Sequence, residues 1–174
     1  MASHWYAVYT YPRHEKKVLQ SLQCQGFDSF LPTYKELHRW RNGIKKEVDL
    51  PLFPGYLFAS FPLQEKVRVL DTPSVASLVG AGGEPTPLEI NEVETIRYAI
   101  PKLGAEPHPF LKTGNRVRVR SGPLSGLEGV LVRKKETWRF VLCMDLIMQA
   151  VSVELDCADL EPMAIPAWPT SKVV

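Results

Sequence analysis

The stretch Leu52-Phe53-Pro54-Gly55-Tyr56-Leu57-Phe58 holds two Phe and one Tyr around a Pro-Gly break. Aromatic side chains beside a rigid turn offer large contact area at low entropic cost, so the chemistry they suit is the binding of another protein. A second group lies just upstream. His38-Arg39-Trp40-Arg41-Asn42-Gly43-Ile44-Lys45-Lys46 gathers four Arg and Lys residues and an indole about an Asn-Gly turn signal. Such a tip can touch backbone phosphates and stack on an unpaired base. Bond-making chemistry has no counterpart here. His4, His14, His38 and His108 are scattered, no Ser/His/Asp or metal-ligand spacing occurs, and Gly80-Ala81-Gly82-Gly83 runs into Glu84-Pro85, a poor anion site. No enzyme, metal or cofactor is expected.

Each binding reading has a plainer competitor. The rings are equally what a sheet core uses, although a core strand does not need so many beside a turn. The basic tip can be a solvated hairpin whose charge blunts an edge strand.

At 174 residues the chain can form one substantial domain or two small ones. Its 45% hydrophobic and 23% charged content is that of a soluble globular protein, and a net charge of +2 is too mild for wholesale coating of nucleic acid. Charge is nevertheless segregated. Basic residues crowd 13–46 and 112–139, and acidic ones collect at Glu84, Glu89, Glu92, Glu94 and at Glu154, Asp156, Asp159, Glu161. Cys24, Cys143 and Cys157 are widely spaced and odd in number, which fits buried small hydrophobes in a reducing cytosol. No apolar run reaches membrane length, and Met1-Ala2-Ser3-His4 lacks the charged start of a signal peptide. A cytoplasmic location is expected.

The elements that must position these groups read in order. His4 to Thr10 is a strand with Trp5, Ala7 and Tyr9 on one face and Tyr6, Val8 and Thr10 on the other. A helix from Arg13 to about Gln25 follows Pro12, buries Val18, Leu19 and Leu22, and stops at Gly26. Phe27 to Leu31 is a strand, Tyr34 to Trp40 and Ile44 to Leu50 form a hairpin about Asn42-Gly43, and Pro54 to Phe61 is the next strand. Gln64 to Leu70 is a short helix with Val67 and Leu70 inward, Val75 to Val79 a strand, and Leu88 to Ile100 an amphipathic helix. The result is an α+β sandwich, its sheet antiparallel or mixed, ending near Pro101.

Pro101, Gly104, Pro107 and Pro109 mark a boundary, with a linker at 102–111 between a first domain at 1–101 and a second at 112–165, and a tail at 166–174. The second domain reads as short strands, Arg116 to Arg120, Glu128 to Lys134, Arg139 to Met144 and Ala150 to Leu155, closing a small β-barrel. Its signature is Gly114, Val117, Val119, Gly122, Pro123, Gly126 and Gly129, with Arg116, Arg118 and Arg120 on the face opposite the valines.

That signature resembles the KOW motif, shared by transcription factors of the NusG type and by certain ribosomal proteins. Trp5-Tyr6-Ala7-Val8-Tyr9, the helix after Pro12, the Phe53-Pro54-Gly55-Tyr56 run, and Thr72-Pro73-Ser74-Val75 with the glycine loop resemble the N-terminal domain of the NusG family, in order. The likeness covers roughly residues 4 to 162. It implies an NGN-like domain followed by an SH3-like KOW barrel, acting as a monomeric transcription elongation factor that binds RNA polymerase and modulates pausing and termination.

By residue, the resemblance implies that Tyr9, Phe53, Pro54, Tyr56 and Phe58 grip the clamp helices of the polymerase. Arg13, Lys16, Lys17, Arg39, Trp40, Arg41, Lys45 and Lys46 would meet upstream or non-template DNA. Ile147 and Met148, in the loop Asp145 to Gln149, would be anchors for a small-subunit ribosomal protein or Rho, with barrel core as their alternative. Departures exist. Glu65-Lys66-Val67-Arg68 stands where the RfaH branch carries a gate-loop patch, and the partner loop lacks the Phe-Gly pair usual in NusG proteins. These point to a specialised antiterminator, an RfaH- or UpxY-like paralogue. The valines of the barrel favour strands over a helical alternative fold. The rivals are a general NusG-like factor coupling to ribosome or Rho, and a ribosome-associated KOW protein acting on RNA.

Overall fold

The computed structural model describes residues 2–41, 43–111, 114–134 and 137–163. Asn42, Lys112, Lys135, Glu136 and the expected tail at 166–174 lie outside the described residues. In chain order the elements are β1 (His4–Thr10), α1 (Glu15–Cys24), β2 (Asp28–Phe30), β3 (Thr33–Arg39), β4 (Lys45–Pro51) and β5 (Tyr56–Phe61), then α2 (Lys66–Leu70), β6 (Val75–Leu78), β7 (Gly80–Ala81), β8 (Glu84–Pro85) and α3 (Ile90–Glu94). After these come β9 (Glu106–His108), β10 (Asn115–Val119), β11 (Glu128–Lys134), β12 (Thr137–Met144), β13 (Gln149–Glu154) and β14 (Leu160–Pro162).

The first sheet has the order β2-β5-β1-β6 and is antiparallel throughout. Both faces of this sheet are covered, so period-2 alternation sorts the side chains of its central strands β1 and β5 into two cores. Tyr6, Val8, Leu57, Ala59 and Phe61 pack with Val18 and Leu22 of α1 and with Val69. On the other face Ala7 and Phe58 pack with Leu52, Phe53, Ile96 and Ile100. That second cluster continues without a break into Val117, Val119, Phe140, Met144 and Val151 of the barrel. The barrel is a six-stranded sheet in the order β14-β10-β11-β12-β13-β9. The α+β class with a following barrel is what the pattern predicts. The hairpin β3–β4 forms a separate two-stranded sheet, aligned so that Arg39 faces Lys45 and His38 faces Lys46.

Local chemistry explains the helix limits and the departures. Arg13 takes φ 66, so the chain turns once more after Pro12 and α1 starts at Glu15. At its end Gly26 N–H donates to Gln23 O (3.0 Å) and Phe27 N–H to Leu22 O (3.1 Å), a Schellman cap. The expected continuous helix over 88–100 is shorter. Five residues of α3 pass into a π-turn at Thr95–Ala99 and a 3₁₀ turn at Ile100–Leu103. Thr95 Oγ1 donates to Asn91 O at 2.7 Å, back-bonding that loosens the regular ladder.

Three expectations need correction. Val67 and Leu70 are 58% and 40% exposed, while Val69 is buried. Five residues define a helical phase poorly, and Val69 is the one that reaches α1 and the sheet. Cys24 is exposed rather than buried, since it lies two residues past Leu22, about 200° round the helix from it. Cys143 is half-buried. Within the Pro-rich segment, Glu106–His108 pairs with β13, a strand the composition does not anticipate.

A candidate docking face at the Phe53–Tyr56 turn

Phe53-Pro54-Gly55-Tyr56 closes as a β-turn, Tyr56 N–H donating to Phe53 O at 3.0 Å. Pro54 occupies the second position and Gly55, at φ +84, the third, which is the type II pattern. Its positive φ requires glycine at Gly55, and an added Cβ, 3.1 Å from Cε2 of Tyr9, would also press on that ring. The turn is held from two sides. Gly55 O accepts from the Thr10 backbone N–H at 2.8 Å, and Gly55 N–H donates to Oε1 of Glu15 at 2.9 Å.

The expected aromatic set divides into a surface and its support. Tyr9 is 39% exposed, Pro54 is exposed and Tyr56 half-buried. Phe53 and Phe58 are fully buried beneath them, edge to face at 5.9 Å. Tyr9 and Tyr56 are cross-strand partners with ring centroids 5.1 Å apart. Burial first, and then the neighbouring Tyr9, pushes the Tyr56 hydroxyl above the ordinary phenol range, so it stays neutral at physiological pH. Beside the turn Tyr9, Pro12, Lys16, Tyr34 and Pro51 line a cleft of about 540 Å³. The barrel reaches the same turn, with Nε2 of Gln149 donating to Pro54 O at 3.0 Å.

The basic candidates fall into two groups. Arg39, Trp40, Arg41, Lys45 and Lys46 are all exposed at the hairpin tip, Trp40 at 60%. Cross-strand like charges such as Arg39 opposite Lys45 destabilise a ladder, so the tip keeps its charge against local stability. Arg13, Lys16 and Lys17 are exposed at the start of α1, and Nζ of Lys16 donates to Asp49 O at 2.9 Å. Asp49 is four residues along β4 from Lys45, roughly 13 Å at ~3.3 Å per residue.

On the barrel, Val117 and Val119 are buried, Arg116, Arg118 and Arg120 exposed, and Arg118 pairs with Glu128 at 2.6 Å. Gly114, Gly122, Pro123 and Gly126 are exposed in turns, and Gly129 is buried against Phe140, whose ring a Cβ would meet at 2.5 Å. In the loop before β13, Met148 is 53% exposed with φ 54, whereas Ile147 is buried. Among the described residues no group of three His, Cys, Asp or Glu could hold a metal ion, and no helix is long and apolar enough to cross a membrane.

Two side chains with distant partners escape a reading of the sequence. Glu15 is 6% exposed, yet it continues the Val18–Leu22 stripe one turn earlier, a signal legible in the spacing. Arg97 forks onto Asp28 with two 3.0 Å contacts and lies over the rings of Trp5 and Phe30, at 5.3 and 5.2 Å. No local pattern announces a partner 69 positions away.

Comparison with known proteins gives a consistent result. Residues 3–97 match the family model described as transcription termination factor nusG. The transcription termination/antitermination protein NusG of Thermus thermophilus is 32% identical over 178 residues, covering 90% of this chain and 96% of the relative. That of Pseudomonas aeruginosa is 29% identical over 175 residues, covering 92% and 99%. Among solved structures, a NusG of Thermotoga maritima, described for its domain interaction, superposes with a TM-score of 0.54 at 21% identity, covering 93% of this chain and 98% of that one. That likeness supports the fold alone.

Proposed function

Since the chain belongs to the NusG family of transcription termination/antitermination factors, we propose that it binds RNA polymerase through the Phe53–Tyr56 turn and modulates pausing and termination, without catalysing a reaction itself. The carrying observation is the type II turn that lifts Pro54 and Tyr56 above the buried pair Phe53 and Phe58. Rings on a rigid support lose little entropy on docking, the quality that makes a hot spot. Tyr9, Pro54 and Tyr56 make the contact with the clamp helices, and Phe53 and Phe58 hold them in shape.

In this reading residues 1–101 form the polymerase-binding unit, 102–111 the connection and 112–165 the recruiting barrel. The hairpin tip and the start of α1 contact upstream or non-template DNA, supported by the exposed cations and Trp40. Met148 is the exposed anchor of the partner loop, for a small-subunit ribosomal protein or Rho, with Ile147 supporting it from the core. The site of action is the bacterial cytoplasm.

A specialised antiterminator is favoured by two departures, Glu65-Lys66-Val67-Arg68 and a partner loop without a Phe-Gly pair. In that first segment Arg68 pairs with Glu65 at 3.2 Å and Lys66 with Glu84 at 2.7 Å, so its charges are already engaged. A general NusG-like role is favoured by the end-to-end match with NusG proteins of distant bacteria. Transcription through a characterised pause and a Rho-dependent terminator tests the proposal. The antiterminator reading expects shorter pauses and more read-through when the protein is added. Increased Rho-dependent termination selects the general reading, and no effect on either template contradicts both.

A further inference from the structure

Glu15 is a carboxylate 6% exposed, placed at the first position of α1, and its Oε1 accepts the Gly55 N–H at 2.9 Å. Burying a carboxylate is costly unless hydrogen bonds compensate, and an apolar side chain would fill the same stripe position at no such cost. What the carboxylate supplies is a direction. Gly55 N–H and Pro54 C=O belong to one trans peptide group, so they point opposite ways. This is also the central peptide of the turn, the group that flips between type I and type II geometry. With its N–H drawn inward to Glu15, its carbonyl is turned outward, where it accepts from Nε2 of Gln149 at 3.0 Å. Thr10 acts on the next peptide group, through Gly55 O, and does not set this orientation.

We infer that Glu15 is a positioning residue for docking: it locks the Pro54–Gly55 peptide so that the exposed face presents an outward carbonyl between Pro54 and the Tyr9–Tyr56 rings. The face therefore recognises an apolar surface that also brings a side-chain or backbone hydrogen-bond donor, which takes the place that Gln149 holds at the Pro54 oxygen in the free chain. This rests on the polymerase-docking reading above, and it adds a polar, directional component to an otherwise apolar contact.

The test measures binding of the full chain to purified RNA polymerase for the wild type and for Tyr56→Ala, Glu15→Ala, Glu15→Asp and Glu15→Gln, with hydrogen exchange of the Gly55 amide read in the free proteins. Gln keeps an acceptor oxygen at the same reach, so binding within about threefold of wild type is expected. Ala removes the acceptor and Asp withdraws it by one methylene. Both are expected to weaken binding about tenfold and to speed Gly55 exchange, the scale of losing an acceptor for a buried N–H. Should Glu15→Ala not fold, Glu15→Asp carries the comparison. Binding of Glu15→Asp at wild-type strength while Tyr56→Ala is weakened overturns the role of Glu15 and leaves the docking reading standing. An unchanged Gly55 exchange rate in Glu15→Asp overturns it as well. A wild-type chain that does not bind, or Tyr56→Ala binding as well as wild type, overturns the docking reading and this inference with it.

Discussion

Tyr9 and Tyr56 face each other across the β1–β5 ladder with ring centroids 5.1 Å apart and planes tilted by 40°. The pair stands at the end of a sheet face whose interior positions are taken by Ala7, Phe53 and Phe58. Tyr9 is 39% exposed and Tyr56 half-buried, so truncating the latter removes contact surface without opening the core. Tyr56→Ala is expected to weaken polymerase binding by about 2 kcal/mol or more, the scale of a hot-spot aromatic. Its denaturation midpoint should stay close to wild type. Unfolding of the purified variant would mark Tyr56 as core.

The hairpin tip offers a prediction about salt. Arg39, Arg41, Lys45 and Lys46 are exposed around Trp40. Each phosphate neutralised on a single strand contributes about −0.7 to the slope of log affinity against log salt. Alanine at any one of these cations should flatten that slope by about 0.7 for single-stranded DNA, and Trp40→Ala should lower affinity while leaving the slope alone. A steep slope that none of the four substitutions alters would place the contact elsewhere.

Arg97 stabilises the first domain by geometry that lysine cannot copy. Its guanidinium meets Asp28 with two 3.0 Å contacts and lies 5.3 Å from the Trp5 ring centroid and 5.2 Å from that of Phe30. Lysine keeps the charge but loses the planar fork and the stacking, so Arg97→Lys should cost about 1 kcal/mol in chemical denaturation. Asp28→Asn should cost less, because the stack over the rings survives.

Glu92 links pH to the contact between α3 and the barrel. Burial foremost, then Asp145 of the barrel loop and Glu89, raise its carboxyl above the ordinary carboxylate range. With the folded value raised, the folded chain holds the proton more tightly than the unfolded one. The stabilisation from that proton is complete below the ordinary value of about 4.3 and is lost as pH rises through the raised value. Ionised Glu92 is therefore a liability at neutral pH. Glu92→Gln should melt at a higher temperature than wild type near pH 7, and the gap should close as the pH falls. A gap that widens on acidification would contradict the assignment.

Much of this is legible in the sequence. The alternation in His4 to Thr10 separates Tyr6 and Val8 from Ala7, and the two sets join different cores because apolar side chains cover both faces of the sheet. Gly26 ends α1 in the motif its position suggests, and Val117 and Val119 point into the barrel. What escaped were features set by tertiary packing. α2 has too few residues to declare its phase, so Val67 and Leu70 face solvent. β9 forms in a Pro-rich segment because β13 offers it an edge. At the candidate docking turn the aromatics are visible as a group, but the split between exposed Tyr9 and Pro54, half-buried Tyr56 and buried Phe53 and Phe58 is set by tertiary packing. Glu15 was hidden by its charge, which reads as surface although its spacing reads as core.

The most direct measurement is a titration of the intact protein against purified core RNA polymerase, with Tyr9→Ala/Tyr56→Ala as the matched variant. Saturable one-to-one binding that the double variant loses is the result expected of a factor docking through this turn. Absence of binding by the wild type, or equal binding by both, would contradict it, however closely the barrel follows its relatives.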